Sequence, residues 1–586
     1  MDRLLCVNDL TICDGHDQQK VLVNNMSLTV NQGETVGIVG ESGSGKSLTA
    51  QAIMRLLPLP GVAITAGTIE FNGDNILTLV ANRLSSIRGR DISMVFQEPQ
   101  TALNPVHNIG KQLKEQIKLH QPQLSHSEMQ TKMSELLTDV GLGTDPNLLK
   151  RFPHELSGGM RQRVVIAMAL SCSPALLIAD EPTTALDVEI QAQILELLKT
   201  LQKKYGMAMI FISHDLAVVA QLCDRILVMY QGKLIEELNP DQLLDNNLHP
   251  YTQALLHCNL ADNTDVSKPW RSELPVIPSL TDLSENAAHC QESDEDRDQR
   301  FTRAIERYKQ HQQNSIAETA FDPAKADSVL ELQGINKRFL QQHSFIPARR
   351  RYQQVLSAVS LKLRQGETLG LVGASGSGKS TLSKIISGLE KQDSGHILFQ
   401  NCKSNVKSGR DKASLIQYVF QDPMESLNPR HTIADILSEP LRIQGEINSS
   451  VLIEKSLQLL AMCGLDRSAL NKYPHQFSGG QKQRIGIARA LALEPEILIC
   501  DEPVSALDVS VQAQIINLLI DLQRRLGIAI IFISHDLTVV KHISHNIAVL
   551  HNGEIVEYGD AQTVFHNPQH TYTQRLIAAT PSWRKA

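Results

Sequence analysis

The sequence predicts an α/β protein built from two tandem P-loop domains, each a mostly parallel sheet core with a helical subdomain. Three observations carry that prediction. The stretch GESGSGKS at Gly40 to Ser47 recurs as GASGSGKS at Gly373 to Ser380. Matches between the two halves continue far beyond these loops. In both halves short apolar runs of buried-strand type alternate with helical patterns, the arrangement from which parallel α/β sheets are made.

The repeat is a whole domain rather than a motif. Lys46 pairs with Lys379, 333 positions on, Gln97 with Gln421 at 324, and Ser157 with Ser478 at 321. From there the offset is constant: Asp180 with Asp501, His214 with His535, and the tail HPYTQALL from His249 with HTYTQRLI from His570, all at 321. A constant offset means repetition without insertion. Domains are assigned at residues 1–261 and 328–586. The intervening 262–327 matches neither half, contains Pro269, Pro275, Pro278 and Pro323, and mixes charges of both signs from Glu285 to Lys309. It reads as a tether between the domains.

Within each half the expected order is strand, glycine loop, helix, helical insertion, strand, strand. TVGIV before Gly40 and TLGLV before Gly373 are buried strands, as are ALLIAD, EILICD and the runs leading into each SHD. The pattern SLTAQAIMRLL after Lys46 has helical spacing, and Pro58 is expected to stop it.

A chain of 586 residues exceeds what one core supports. With 42% apolar and 20% charged residues and a net charge of -7, it is ordinary for a globular protein and lacks the basic footprint of a nucleic-acid binder. No apolar run approaches the roughly 18 residues that span a bilayer. The start MDRLLCVNDL has neither the apolar segment nor the cleavage site of a secretory signal, so a cytosolic chain is expected. Nine cysteines are spread without a CxxC pair, which points to reduced thiols.

Both glycine loops fit G-x-x-x-x-G-K-[ST], each following a strand and opening a helix. Their glycines let backbone N–H groups of Gly40, Glu41, Ser42, Gly43, Ser44 and Gly45, and of Gly373, Ala374, Ser375, Gly376, Ser377 and Gly378, close around phosphates. Lys46 and Lys379 would reach the β and γ phosphates, and Ser47 and Ser380 would set a hydroxyl on Mg²⁺. Asp180 and Asp501, at strand ends, are placed to hold the same ion. Glu181 and Glu502 follow directly and are the candidates for orienting or deprotonating an attacking water. His214 and His535 would contact a γ phosphate from neighbouring strand ends. Gln97 and Gln421 suit a group that touches Mg²⁺ or water and reports on it. The segments LSGGM and FSGGQ, each before a basic helix start, offer a further phosphate grip: Ser157, Gly158 and Gly159, then Ser478, Gly479 and Gly480.

Loop, Gln, SGG, DE, ALD and SHD in this order resemble the ATP-binding domain of the ABC family, twice over and across nearly all of the chain outside the tether. The resemblance implies two ATP molecules sandwiched head to tail, the first loop facing Ser478 to Gly480 and the second facing Ser157 to Gly159. The chain would thus form its own pseudo-dimer, with Asp187 and Asp508 as contacts across it. No catalytic position is missing in either half, so two hydrolytic sites are expected. One departure concerns the base: Phe339 fits the family's adenine-stacking aromatic in the second half, whereas the first half has Asp14 and His16 near the aligned place.

The segments EPQTALNPV and DPMESLNPR and the HPYT tail are similar to those of the dipeptide, oligopeptide and nickel importer ATPases, and the fused arrangement is most similar to the ATPases of glutathione and peptide importers. The resemblance implies a peripheral protein on the cytoplasmic face of a bacterial inner membrane, under two transmembrane permease subunits fed by an extracytoplasmic substrate-binding protein. Some relatives carry an iron–sulfur cluster after the tail. Only Cys258 and Cys290 stand there, too few for four thiolates, so no cluster is expected. The alternatives are a soluble two-domain ABC translation factor acting on ribosomes and an exporter ATPase. Neither has reason to carry the HPYT tail.

Overall fold

The computed structural model describes residues 3–258 apart from 18, 59, 98, 144–146, 185 and 246; then 274, 298–299, 301–303 and 306; and 326–580 apart from 343–350, 401–408, 423–425 and 506. These residues gather into two compact units, one largely within residues 1–262 and one largely within 263–580. Most of the tether, with Cys290, lies outside the described residues. Leu274, within the stretch assigned to the tether, is buried in the second unit and exchanges two hydrogen bonds with the Asn517 side chain, at 2.9 and 2.8 Å.

In the first unit six strands run in the order Lys233–Leu238, Arg225–Tyr230, Thr35–Val39, Ala208–Ser213, Leu176–Asp180 and Ile92–Val95, parallel except for the first. Thr35–Val39, Leu176–Asp180 and Ala208–Ser213 are buried along their whole length. That explains their near-continuous apolar composition, since both faces of a parallel sheet are covered. Register then makes the site. Val39 pairs with Ser213, Asp180 with Ile212, and Val95 with Ala179. The glycine loop, Glu181, His214 and Gln97 therefore leave the sheet at one edge, where the strands' carboxyl ends meet.

The second unit repeats this sheet in the same strand order: Glu554–Asp560, Asn546–His551, Thr368–Val372, Ala529–Ile533, Ile497–Asp501 and Ile416–Val419. Cys500 is fully buried in its strand, the small-hydrophobe role that its position suggests.

Each unit also holds an antiparallel sheet that the coarse sequence reading lacks. In the first, Arg3–Asp14 lies between Val21–Asn31 and Val62–Phe71; in the second, Ser328–Gln342 lies between Arg351–Arg364 and Ser394–Phe399. Its buried face packs over the helix that follows the glycine loop, as Leu5, Ile12, Met26 and Ile69 join Ala50 and Ile53 in one core.

One helix ends earlier than expected. Lys46–Ile53 is capped by Met54, and Arg55 adopts φ 49°. Arg55 N–H donates to Ala52 and Leu56 N–H to Gln51, at 2.9 and 2.8 Å. This reversal closes the helix before Pro58 can act. The matching position in the second unit is Gly388, with φ 84°. Among the described residues no helix is long and apolar enough to cross a membrane.

Candidate active site

The glycine loop turns from strand to helix through backbone that tolerates no side chain at Gly40. A Cβ there would sit 2.2 Å from the Met229 carbonyl oxygen, and at Gly373 one would sit 2.1 Å from that of Leu550. Gly45 and Gly378 open the helices with φ 95° and 108°, a conformation that favours glycine. Lys46 and Lys379, 5% and 6% exposed, fold back into the loop. Lys46 Nζ donates to the carbonyls of Gly40 and Glu41 at 2.7 and 2.9 Å. Lys379 Nζ does the same to Gly373 and Ala374, at 2.7 and 3.0 Å.

Beside the loop, Ser47 Oγ donates to Asp180 Oδ1 at 3.0 Å, and Ser380 Oγ stands 3.5 Å from Asp501 Oδ1. Burial pushes Asp180 up to about 6, against the hydrogen bond from Ser47, and raises Asp501 in the same way. The neighbouring glutamates go the other way. Burial works to raise Glu181, but the hydrogen bond and charge of His214 hold it down to about 2. Glu502 is lowered by His535 against the same burial.

The histidine and glutamine contacts of the two glutamates recur in both units. Glu181 Oε2 lies 3.5 Å from His214 Nδ1 and accepts from Gln97 Nε2 and Thr184 Oγ1, each at 2.9 Å. Glu502 Oε2 lies 3.3 Å from His535 Nδ1 and accepts from Gln421 Nε2 at 3.0 Å. Both glutamates take positive φ, 45° and 47°, in a region costly for a residue with a Cβ. Their N–H groups are tied to the next strand, donating to Ile212 and Ile533 at 3.0 and 2.9 Å.

The loops fit a polyphosphate and a hard divalent ion. Ser44 Oγ and Ser377 Oγ are buried without a hydrogen-bond partner among the described residues, hydroxyls suited to donate to phosphate oxygens. Mg²⁺ is usually held by one or two carboxylates together with substrate phosphates. A serine hydroxyl touching a buried, proton-attracting aspartate is such a donor set.

The two SGG segments each open a helix. Ser157 caps the helix Gly158–Ala169 and Ser478 the helix Gly479–Leu491, accepting from Met160 N–H and Gln481 N–H at 3.3 and 3.4 Å. Their second glycines also serve packing: a Cβ on Gly159 would meet Ile190 at 2.6 Å, and one on Gly480 would meet Val511 at 2.2 Å. Phe339 projects from the strand Ser328–Gln342 with 40% of its surface exposed and Lys337 Nζ 5.0 Å from its ring. In the first unit Asp14 instead accepts from His16 N–H at 2.9 Å.

Four contacts escaped the sequence reading. Thr184 braces Glu181. Tyr418 Oη donates to Asp501. The tail tyrosines reach the loops, Tyr251 Oη accepting from Glu41 N–H at 3.3 Å and Tyr572 Oη from Ala374 N–H at 2.8 Å. Only the repetition of the tail in both halves hinted at the last.

The family model described as "ABC transporter" matches this sequence twice, at residues 23–184 and 356–505. The chain belongs to the ABC transporter family. A second model, the oligopeptide/dipeptide transporter C-terminal region, matches this ABC protein at residues 235–290 and 556–586, the first match reaching into the stretch assigned to the tether. It is 44% identical to the glutathione import ATP-binding protein GsiA of Shigella dysenteriae serotype 1 over 588 residues, 99% of this chain and 89% of the relative. The GsiA protein of Escherichia coli strain K12 is likewise 44% identical, over 593 residues. A solved dimeric ATP-binding cassette in a post-hydrolysis state, bound to ADP and Pi, aligns at 30% identity over 40% of this chain and 98% of its own, with a TM-score of 0.35. As an ABC ATPase the protein hydrolyses ATP with Mg²⁺.

Proposed function

We propose that this ABC protein is the ATPase subunit of an importer for peptides or a peptide-like solute, with glutathione the first substrate to test. The observation that carries the reading is that both halves hold a complete Lys, Ser, Asp, Glu, His and Gln cluster and both are followed by the oligopeptide-transporter tail. Two working sites on one chain suit an engine for two separate permease subunits, fed by an extracytoplasmic binding protein, with the chain peripheral to the inner membrane. The GsiA relatives are named for glutathione import, which supports that choice of solute and argues against the ribosome-factor alternative.

In this reading Lys46 and Lys379 turn from the loop carbonyls to the β and γ phosphates. Bound through Ser47 and Asp180, or Ser380 and Asp501, with Gln97 and Gln421 in reach, Mg²⁺ supplies charge neutralisation at the transferring phosphoryl group. Glu181 and Glu502, held ionised, orient and accept a proton from the attacking water. His214 and His535 keep each glutamate turned to the site and reach the γ phosphate. Ser157 to Gly159 and Ser478 to Gly480 present helix starts to the phosphates at the opposite loop, and Asp187 and Asp508 lie on the faces that meet. Gln97 and Gln421 pass the state of the site to the permease. The domains at 1–261 and 328–586 are the two moving bodies, and 262–327 joins them.

The test is affinity purification of the tagged protein from gently solubilised native membranes, with mass spectrometry of what accompanies it. Two multi-spanning subunits in stoichiometric amount are the expected result. Ribosomal proteins with nothing from the membrane would overturn the reading.

A further inference from the structure

The tail recurs in both halves, yet hydrolysis as described gives it no task. Its geometry supplies one. His249 leads into the helix Pro250–Cys258 and its Nδ1 accepts from Tyr251 N–H at 3.1 Å; His570 leads into Thr571–Ala578 and accepts from Tyr572 N–H at 3.2 Å. Each helix start is tied to the edge strand of the sheet, because Glu236 accepts from His249 N–H at 3.0 Å and Glu557 from His570 N–H at 3.1 Å. So anchored, the tyrosine rings are buried, Tyr251 against Tyr230 at 4.5 Å between centroids and Tyr572 against His551 at 3.9 Å. Tyr230 and His551 end the strands that neighbour the two loop strands.

From there each hydroxyl reaches one particular peptide group. Tyr251 Oη accepts from Glu41 N–H, and the carbonyl of that same peptide, on Gly40, accepts from Lys46 Nζ at 2.7 Å. In the second half Tyr572 Oη accepts from Ala374 N–H while Gly373 carbonyl accepts from Lys379 Nζ at 2.7 Å. One peptide plane is thus gripped at its two ends, by the tail on one side and by the phosphate-binding lysine on the other. When nucleotide draws the lysine away, the tail's grip remains.

We infer that Tyr251 and Tyr572 are positioning residues for the nucleotide loops, fixing the Gly40–Glu41 and Gly373–Ala374 peptides so that the remaining loop N–H groups stay converged on the phosphates. The inference rests on the loops being the ATP sites. It makes the oligopeptide-type tail part of the nucleotide site as well as a family mark, and gives any partner that moves the tail a direct hold on nucleotide affinity.

The test uses the purified full chain with Tyr251→Phe and Tyr572→Phe, singly and together. Phenylalanine keeps the ring packing and the helix cap and removes the hydroxyl. Measured are equilibrium binding of a fluorescent ATP analogue and the melting temperature without nucleotide. Lys46→Ala and Lys379→Ala backgrounds isolate each loop. Expected is about two- to tenfold weaker binding at the loop whose tyrosine is changed, the size of one net hydrogen bond, with the nucleotide-free melting temperature lowered by only about 2 to 4 °C. Wild-type binding in the Phe variants overturns the inference, and so does a loss of affinity that merely tracks a loss of nucleotide-free stability. The double Lys46→Ala, Lys379→Ala protein separates the two claims: if it still binds nucleotide, the assignment of the loops fails too, and if it does not, only the role of the tyrosines is in question.

Discussion

The Tyr418 hydroxyl donates to Asp501 Oδ2 at 2.5 Å, while the matching strand position in the first half, three residues before the glutamine, is Met94. The two metal-side aspartates are therefore held differently. Asp180 accepts from Ser47, but Asp501 shares its charge with a phenol that also touches Ser383 at 2.9 Å.

If Asp501 holds Mg²⁺ as proposed, that phenol would compete with the ion for the carboxylate. In a Lys46→Ala background, which leaves the second loop working, nucleotide binding should need more Mg²⁺ for half-saturation than in Lys379→Ala. Tyr418→Phe should remove most of the difference, a shift of about 1 kcal/mol or more for a hydrogen bond to a charged group. A Mg²⁺ titration of fluorescent nucleotide binding measures it. Equal requirements in the two backgrounds would refute the competition.

Base stacking should separate the sites in affinity. Phe339 offers an exposed ring to the second site and no aromatic stands at the aligned place in the first, so Lys46→Ala protein should bind ATP more tightly than Lys379→Ala protein. Phe339→Ala should cost about 1 to 3 kcal/mol, the range for one base on one ring. Equal dissociation constants for the two lysine variants, read by calorimetry, would sink the idea.

Glu181→Gln and Glu502→Gln should each reduce phosphate release by about 10²-fold or more at their own site, the contribution of a positioned base. ATP binding should persist, because the glutamates' hydrogen bonds run to Gln97 and Thr184 in the first unit and to Gln421 in the second. A variant that hydrolyses normally would move the catalytic role elsewhere, with the paired histidine the next candidate.

Glu367 is buried with neutral partners, Asn546 Nδ2 at 2.6 Å and Arg364 N–H at 2.8 Å, where Glu34 of the first half has the Arg225 guanidinium at 2.9 Å. Burial raises the Glu367 carboxyl above its ordinary value. A raised folded-state pKa favours folding at acid pH, and that contribution is lost as pH rises through it. Glu367→Gln should therefore raise the melting temperature of the second domain at pH 7, with Asn546 turning its amide to suit. The gain should fade as pH falls toward the ordinary carboxylate range of about 4. Calorimetry across that range reads the trend, and a pH-independent gain would contradict it.

The buried strands were legible because a parallel sheet covered on both faces leaves only apolar runs such as TVGIV and EILICD, and the motifs sit at their ends. The antiparallel sheets were not. Arg3–Asp14 pairs with Val62–Phe71 across a register that shifts near Asn8 and Thr11, which breaks the alternation that betrays a half-buried strand. Arg55 ended its helix by a conformation its residue type disfavours, so only its counterpart Gly388 carried the sign. The tail's grip on the loop joins Glu41 to Tyr251, 210 positions apart, and no local pattern encodes a contact of that separation. Tyr418 went unread because one strand residue among apolar neighbours gives no reason to look at its hydroxyl.

The positive φ of Glu181 and Glu502 implies a conflict between durability and work. Glycine at either position would relax the backbone by about 1 kcal/mol or more while deleting the carboxylate. Selection for heat resistance alone would thus drift toward a sturdier chain that holds ATP and no longer turns it over. A laboratory lineage evolved for thermal survival without a demand for uptake should lose its glutamates at these two positions early.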